Sequence, residues 1–316
     1  MTGLHARIRP GRPITGMAAV LLPFTDAGEI DWPGFEAHVA RTVEAGLVPA
    51  VNMDTGFGPV LDPADRAQAL EVAADQASKG WVAGAHVPDA PGAACDLDGY
   101  ANECTRIAER GGMPILFPSH GLADLDDDAL IAAHDALAAG SDGLLGFELG
   151  PMFHPAGRIF SVEVFERVME IPGIVGLKHS SLDRGQEWER LALRDARRPD
   201  FRLLTGNDLA IDMVVYGSDY LLGLATFAPD AFAARDDAWA DGDEARFWAF
   251  NDVLQYLGQL AFRLPVPGYR HDAAMFLALR GWIDSDRTHA SSPERPDSDR
   301  TLLAEIADRL VGLLGR

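Results

Sequence analysis

Lysine is almost missing from this chain of 316 residues: of its 27 basic residues only Lys79 and Lys178 are lysines, and the rest are arginines. Any chemistry that needs a primary amine on a side chain therefore has two places to happen. Cysteine is equally scarce. Cys95 and Cys104 are the only two, and their spacing fits neither a disulfide framework nor a thiolate metal site, which points to a reduced, cytoplasmic protein. Positive charge is outweighed by 48 acidic residues to a formal net charge of -21. A surface of that sign excludes nucleic acid and anionic membrane as natural partners, since both repel it. No apolar run approaches the roughly 20 residues of a membrane-spanning helix, and no charged start followed by an apolar core marks the amino terminus as a secretory signal. A phosphate-binding loop is also absent, because "TGFG" at 55–58 is too short for the G-x-G-x-x-G spacing.

What the chain does contain is a 47% hydrophobic content in recurrent short runs. Eight of them read as strands, at 16–23, 47–53, 81–87, 113–118, 142–149, 173–178, 201–206 and 219–226. Between them lie helical patterns such as "DWPGFEAHVARTVEAG" and "SVEVFERVMEIPG", which open on Asp or Ser and close on Gly as helix caps require. Alternation of strand and helix eight times predicts an α/β fold, a (β/α)8 TIM barrel. A doubly wound sheet is the other architecture with this alternation, and it needs the phosphate loop that is missing. Beyond about residue 228 only helical patterns remain, so the expected division is a barrel over 1–228 and a C-terminal helical extension over 229–316, with "SDRTHASSPERPDSD" (285–299) as an exposed linker.

The two lysines differ in setting. Lys79 ends a helical pattern just before a glycine, where a cation suits the negative end of the helix dipole. Lys178 instead closes the apolar run "GIVGLK" at a strand end, where a hydrated ammonium is costly unless it is paired or neutral. A desolvated lysine amine is a nucleophile, and an arginine in its place could not form an imine. The alternative is a lysine snorkelling from a strand terminus to water. In a barrel of this type the working groups sit at the carboxyl ends of the strands. Those ends carry Asn52, Asp54 and Thr55, then His86, then Ser119 and His120, then Glu148, then Lys178 and His179, and finally Thr205, Asn207 and Asp208. Glu148 inside an apolar run must be paired, protonated or in use. Asp208 reads as a helix cap, and His86 and His120 as either rim groups or functional ones. His154 and Arg158 fall in a loop over the mouth, suited to an acidic substrate or to solvent. The acidic run "DLDDDAL" (124–130) reads as a solvated helix start.

From about residue 14 to about 236 the chain resembles the dihydrodipicolinate synthase and N-acetylneuraminate lyase family of Schiff-base aldolases. "GMAAVLLPFTDAGEID" resembles the family's opening strand and turn, "DTGFGPVLDPADR" its G-T-T-G-E loop, "IPGIVGLKHSSLD" the segment of its imine lysine, and "LLTGNDLAIDMVVYGSDYLLGLATFAP" the glycine-rich segments that follow. The resemblance implies that Lys178 forms an imine with pyruvate or another 2-oxo acid. It also implies that Thr55 and Gly56, with the loop N–H groups, hold the substrate carboxylate, that Asn207 and Leu222 contribute to the binding site, and that the protein is a homo-oligomer, a dimer or tetramer. No cofactor or metal is expected. Departures from the pattern are as informative. The tyrosine of a Y-N-x-P pattern after strand five is absent from "LLGFELGPMFHPAG", the first loop threonine is Asp54, and Ser119 and His120 replace the tyrosine pair after strand four. An acid/base set of Glu148, His120 and Asp54 is therefore expected in place of the usual threonine and tyrosine relay, serving a lyase or dehydratase other than dihydrodipicolinate synthase. Two alternatives remain open: a divalent-metal enzyme with Asp54, His86, His120 and Glu148 as ligands, and a noncatalytic binder of a small acid.

Overall fold

The computed structural model describes residues 7–78 and 80–315, so Lys79 lies outside the described residues. Eight parallel strands close in sequence order into a barrel: β1 (Gly16–Ala19), β2 (Val48–Val51), β3 (Val82–Ala85), β4 (Met113–Leu116), β5 (Leu144–Leu149), β6 (Ile174–Ser180), β7 (Arg202–Thr205) and β8 (Asp219–Leu222). Each starts within a few residues of an apolar run expected to be a strand. The regular part is shorter than the run in most cases, because its last residues leave the ladder to form the loops of the mouth. The helices between strands are capped as their sequences require. Asp31, Asp62, Asp96, Asp126 and Ser161 each accept a hydrogen bond from a backbone N–H in the first turn that follows.

Alternation along the strands decides what enters the barrel. Met17, Ala19, Ala50, Val82, Ile115, Leu145, Phe147, Leu149, Leu204 and Leu221 fill its interior, while their neighbours Ala18, Val51, Ala83, Leu116, Leu144, Leu203 and Leu222 pack outward against the helices. On β6 the outward set is Ile174 and Leu177, which turns Lys178 inward. Its partner across the ladder is Phe147, and the pair one step on is Glu148 with His179.

After β8 the chain is helical, with helices Pro229–Ala240, Glu244–Ala261, Tyr269–Leu279 and Asp299–Leu314. The first buries Phe232, Arg235 and Trp239 against the outside of the barrel, where Tyr220 donates a hydrogen bond of 2.7 Å to Asp236. The stretch 285–299 departs from the expected linker. Arg295 is buried, donates to Asp272 at 3.1 Å, and holds the carbonyl oxygens of Ala261, Arg263 and Pro265 at 2.8, 2.8 and 3.1 Å. That single side chain ties the segment to the turn that leads into Tyr269; polar composition alone cannot reveal such an anchor. Among the described residues no helix is long and apolar enough to cross a membrane.

Candidate active site

At the carboxyl ends of the strands lies a small cavity of about 310 Å³, lined by Asp54, Thr55, Lys178, Ser180, Asp208 and Tyr269 with the apolar walls Met53, Leu149, Phe153 and Phe262. A larger hollow of about 910 Å³ opens at the opposite end, between Thr15, Met17, Val48, Trp81, Met113 and Arg202. Among the described residues its lining holds no amine or histidine, and barrel enzymes keep their chemistry at the other face.

Lys178 points into the small cavity and is 8% exposed. Its Nζ lies 4.5 Å from the centre of the Phe147 ring. Burial pushes its pKa from 10.5 down to about 8, against the opposing pull of the Asp208 and Asp54 carboxylates. Asp208 shares the cavity. Burial pushes its carboxyl up to about 7, while the Leu224 N–H, which donates to Oδ1 at 2.7 Å, and Lys178 pull the other way. An amine and an acid are thus brought close to neutrality side by side, where each can exchange a proton with the other. Gly206 makes room for this: a Cβ there would lie 2.9 Å from Lys178 Cε and 1.9 Å from Ser180 Oγ. Ser180, two residues beyond Lys178 and on the same inward face, is buried with its hydroxyl unpartnered among the described residues. It is a donor available to a bound molecule.

The far wall comes from the C-terminal extension. The Tyr269 hydroxyl donates to Asp54 Oδ2 at 3.0 Å and lies 2.8 Å from Thr55 Oγ1. Its ring stacks on Phe262 with centres 4.4 Å apart. Burial first, and then the Asp54 carboxylate, push the phenol well above 10, so it is held protonated. The next residue, Arg270, donates to the Asp54 carbonyl oxygen at 3.1 Å and stands 3.5 Å from its Oδ1.

Several expected site residues lie elsewhere. Glu148 faces out of the barrel and lines no part of the cavity. It is fully buried, receives Arg190 through both oxygens at 2.8 and 2.6 Å, accepts the Phe160 N–H at 2.8 Å, and takes a hydrogen bond from His179 Nδ1 at 2.8 Å. Burial alone would raise its pKa, but His179 and Arg190 outweigh that and leave it lowered. The reason is the two-residue period of the strand: with Phe147 and Leu149 inward, Glu148 has to point outward. The same parity places Leu222 in the outer core and leaves Gly223 beside the cavity. His120 sits at the start of a short helix with its N–H on Asp89, in a neighbouring recess it shares with Arg66, His86, Asp89 and His154. His86 holds the Asn52 carbonyl oxygen at 2.6 Å, and burial drives its pKa to about 3, so it is neutral. Arg158 is turned to the carbonyl oxygens of Ala123 and Leu125 and to Asp127. The four ligands of the metal alternative are therefore not gathered, since Glu148 looks away from the mouth.

Asn207 makes a local turn, accepting the Leu209 N–H at 3.1 Å, and does not line the cavity. The loop after β2 also differs from expectation. Thr55 is in place, but the N–H groups of Gly56 and Gly58 bind the Met53 carbonyl oxygen and that of Phe57 binds Asp54, so these three are not offered to a carboxylate. Asn52 and Phe57 adopt left-handed backbone angles, φ 53° and 60°, and Phe57 is held there beneath the Arg270 guanidinium, 4.8 Å above its ring.

Sequence reasoning missed Tyr269 as a member of the site and set Asp208 aside as a cap. Ser180 was within reach of it, because two residues after an inward lysine is inward again.

No family model matches the chain. Over 281 residues, 83% of this chain and 79% of the relative, it is 29% identical to the probable 5-dehydro-4-deoxyglucarate dehydratase 2 of Streptomyces coelicolor. It is also 29% identical to the protein of the same description in Streptomyces avermitilis, over 97% of this chain and 91% of that one. Among solved structures, dihydrodipicolinate synthase from Thermotoga maritima superposes with a TM-score of 0.79 at 18% identity, covering 96% of this chain and 100% of that one. The sialic acid aldolase of Ruminococcus gnavus gives 0.77 at 15%, covering 96% and 99%. Sequence relatives and barrel both fit the resemblance to the dihydrodipicolinate synthase and N-acetylneuraminate lyase family, and the chain lacks the tyrosine that follows the fifth strand in the family's pattern.

Proposed function

We propose that the protein is a Schiff-base lyase in which Lys178 forms an imine with a 2-oxo acid, and that its reaction is a dehydration. The observation that carries this reading is the buried Lys178 amine, facing a small cavity beside Asp208 with its pKa lowered to about 8. A shift of that size raises the neutral, nucleophilic fraction at neutral pH by roughly two orders of magnitude. The steps follow from the groups present. Lys178 gives its excess proton to Asp208 and its nitrogen attacks the ketone carbon. Asp208 returns a proton to the hydroxyl of the addition product, which leaves as water as the C=N bond forms. The resulting iminium draws electrons from the adjacent carbon. Loss of a proton there gives an enamine, and the enamine expels a hydroxyl one carbon further along, which leaves as a second water. Hydrolysis of the imine then frees Lys178. Ser180 offers its unpartnered hydroxyl to the substrate carboxylate, the role left open by the committed loop N–H groups, while the Thr55 hydroxyl is engaged with Tyr269.

Dehydration is chosen over carbon–carbon cleavage because of the two Streptomyces relatives. The substrate in their description carries, by its chemical name, a ketone beside a terminal carboxylate, then a methylene, then a hydroxyl-bearing carbon. That is the pattern the steps above consume. A cytoplasmic enzyme that self-associates as a dimer or tetramer belongs to the same reading. The test is turnover of 5-dehydro-4-deoxyglucarate, followed by loss of substrate, in wild type and Lys178→Arg. Wild type should consume it and the variant, which keeps the charge but cannot form an imine, should fall by at least about 10⁴-fold. Turnover surviving in the variant would sink the imine.

A further inference from the structure

We propose that Tyr269, delivered by the C-terminal extension, is the catalytic residue that moves the proton at the carbon next to the imine, with Asp54 as the proton's destination and Thr55 holding the phenol oxygen in line. The proposal rests on the Lys178 imine and adds to it a residue from outside the strand ends.

The proton has to leave a carbon held in the cavity beside Lys178, and few of the groups that line it can take it. Asp208 faces Lys178 with one oxygen bound to the Leu224 N–H, and is occupied with the amine and its water. Among the described residues the Ser180 hydroxyl has no hydrogen-bond partner that could carry a proton away. Tyr269 has one. Its hydroxyl lines the same cavity as Lys178 and donates to Asp54 Oδ2 at 3.0 Å, while Thr55 Oγ1 stands 2.8 Å from the same oxygen. With its own hydrogen directed to Asp54 and one lone pair facing Thr55, the phenol oxygen keeps a lone pair for a substrate proton. As the carbon gives up its proton to that oxygen, the phenol proton passes to Asp54. The C–H pair becomes the enamine double bond, and the positive charge on the imine nitrogen is cancelled. The Asp54 carboxylate ends as the acid, so charge and atoms balance with no other reactant. Run in reverse, the same path gives the proton back to the carbon or to a departing hydroxyl.

The surroundings fit a relay. A phenol held well above its usual pKa stays protonated at rest, so it can pass a proton only when Asp54 accepts one. Asp54 sits at the cavity edge, with its side chain 16% exposed, and can exchange with water. Position is fixed from three sides. Phe262 stacks on the ring. Gly223 leaves space where a Cβ would come within 3.1 Å of Tyr269 Cε2 and 3.2 Å of Thr55 Oγ1. Arg270 anchors the start of the helix to the Asp54 carbonyl oxygen. All of these groups belong to one chain, so the relay is complete within a single subunit.

The test separates imine formation from proton transfer. Pyruvate is added to wild type, Tyr269→Phe and Asp54→Asn. Imine is measured by borohydride reduction and intact mass, and proton transfer by loss of the methyl signal of pyruvate in D2O. Tyr269→Phe keeps the ring that stacks on Phe262, and Asp54→Asn keeps the side-chain volume, so one variant covers for the other should either fail to fold. Wild type should show both adduct and exchange. In the variants the adduct should persist while exchange per adduct falls by about 100-fold or more. Exchange at the wild-type rate in Tyr269→Phe, or a wild-type adduct that does not exchange, overturns the relay and leaves the imine standing. No adduct in wild type removes the imine first, and the relay with it.

Discussion

Two clusters of buried charge sit back to back on the same pair of strands, and they differ in how completely their groups are satisfied. Outside the barrel, Glu148 receives Arg190 on both oxygens along with His179 and the Phe160 N–H, and Arg190 also holds the Phe160 carbonyl oxygen at 2.8 Å. Inside, one step along β5 and β6 and among the described residues, Lys178 rests over Phe147 with no carboxylate in salt-bridge contact, and the Ser180 hydroxyl has no hydrogen-bond partner. Charge buried with every valence filled fixes a structure. Charge buried and left short of partners is ready for a ligand. The same sequence signal, an ionisable residue in an apolar run, therefore has opposite meanings on the two faces of one sheet.

The comparison can be broken most severely at Glu148. If the outer cluster is structural, Glu148→Gln leaves the Arg190 guanidinium short of its counter-charge in the interior and should cost about 3 kcal/mol of stability, read from the denaturant midpoint. Pyruvate trapping per folded molecule should stay unchanged. A stable variant with slowed proton transfer would instead return Glu148 to the reaction. The lowered pKa of Glu148 adds a pH signature. The stability it contributes is present above the ordinary value of 4.5 and lost as pH falls below it, so the variant should lose less stability on acidification than wild type does.

A smaller effect sharpens the inner side. Because burial lowers Lys178 to about 8, its amine is neutral above that pH and protonated below it. The rate of pyruvate trapping should rise with pH, with an inflection near 8, and level off beyond. Asp208→Asn removes an anion that favours the ammonium, and should move the inflection down by about one unit. An inflection near 10.5 in wild type would place the amine in water.

The barrel was legible because apolar runs of strand length recur with capped helical patterns between them, and each of these signals is local. Lys178 was legible by contrast with a chain that otherwise uses arginine. What was lost lies beyond local reach. Glu148 and Leu222 were misplaced for one reason: shifting a strand by one residue exchanges its two faces, and register is set by neighbours across the ladder. The loop N–H groups of Gly56 and Gly58 read as donors to a ligand until their turns onto the Met53 carbonyl oxygen were known. Tyr269 could not be found at all from strand ends. It arrives from a helix more than two hundred residues after Asp54 in the chain, carried into place by a turn that Arg295 pins.

The most direct test is the site of covalent labelling. Wild-type protein is incubated with pyruvate, reduced with borohydride, digested, and mapped by mass. The account predicts one modified residue, Lys178, heavier by a pyruvate less one oxygen atom, with Lys79 and the amino terminus unlabelled. Label on Lys79 alone, or none at any pH between 6 and 10, would contradict it.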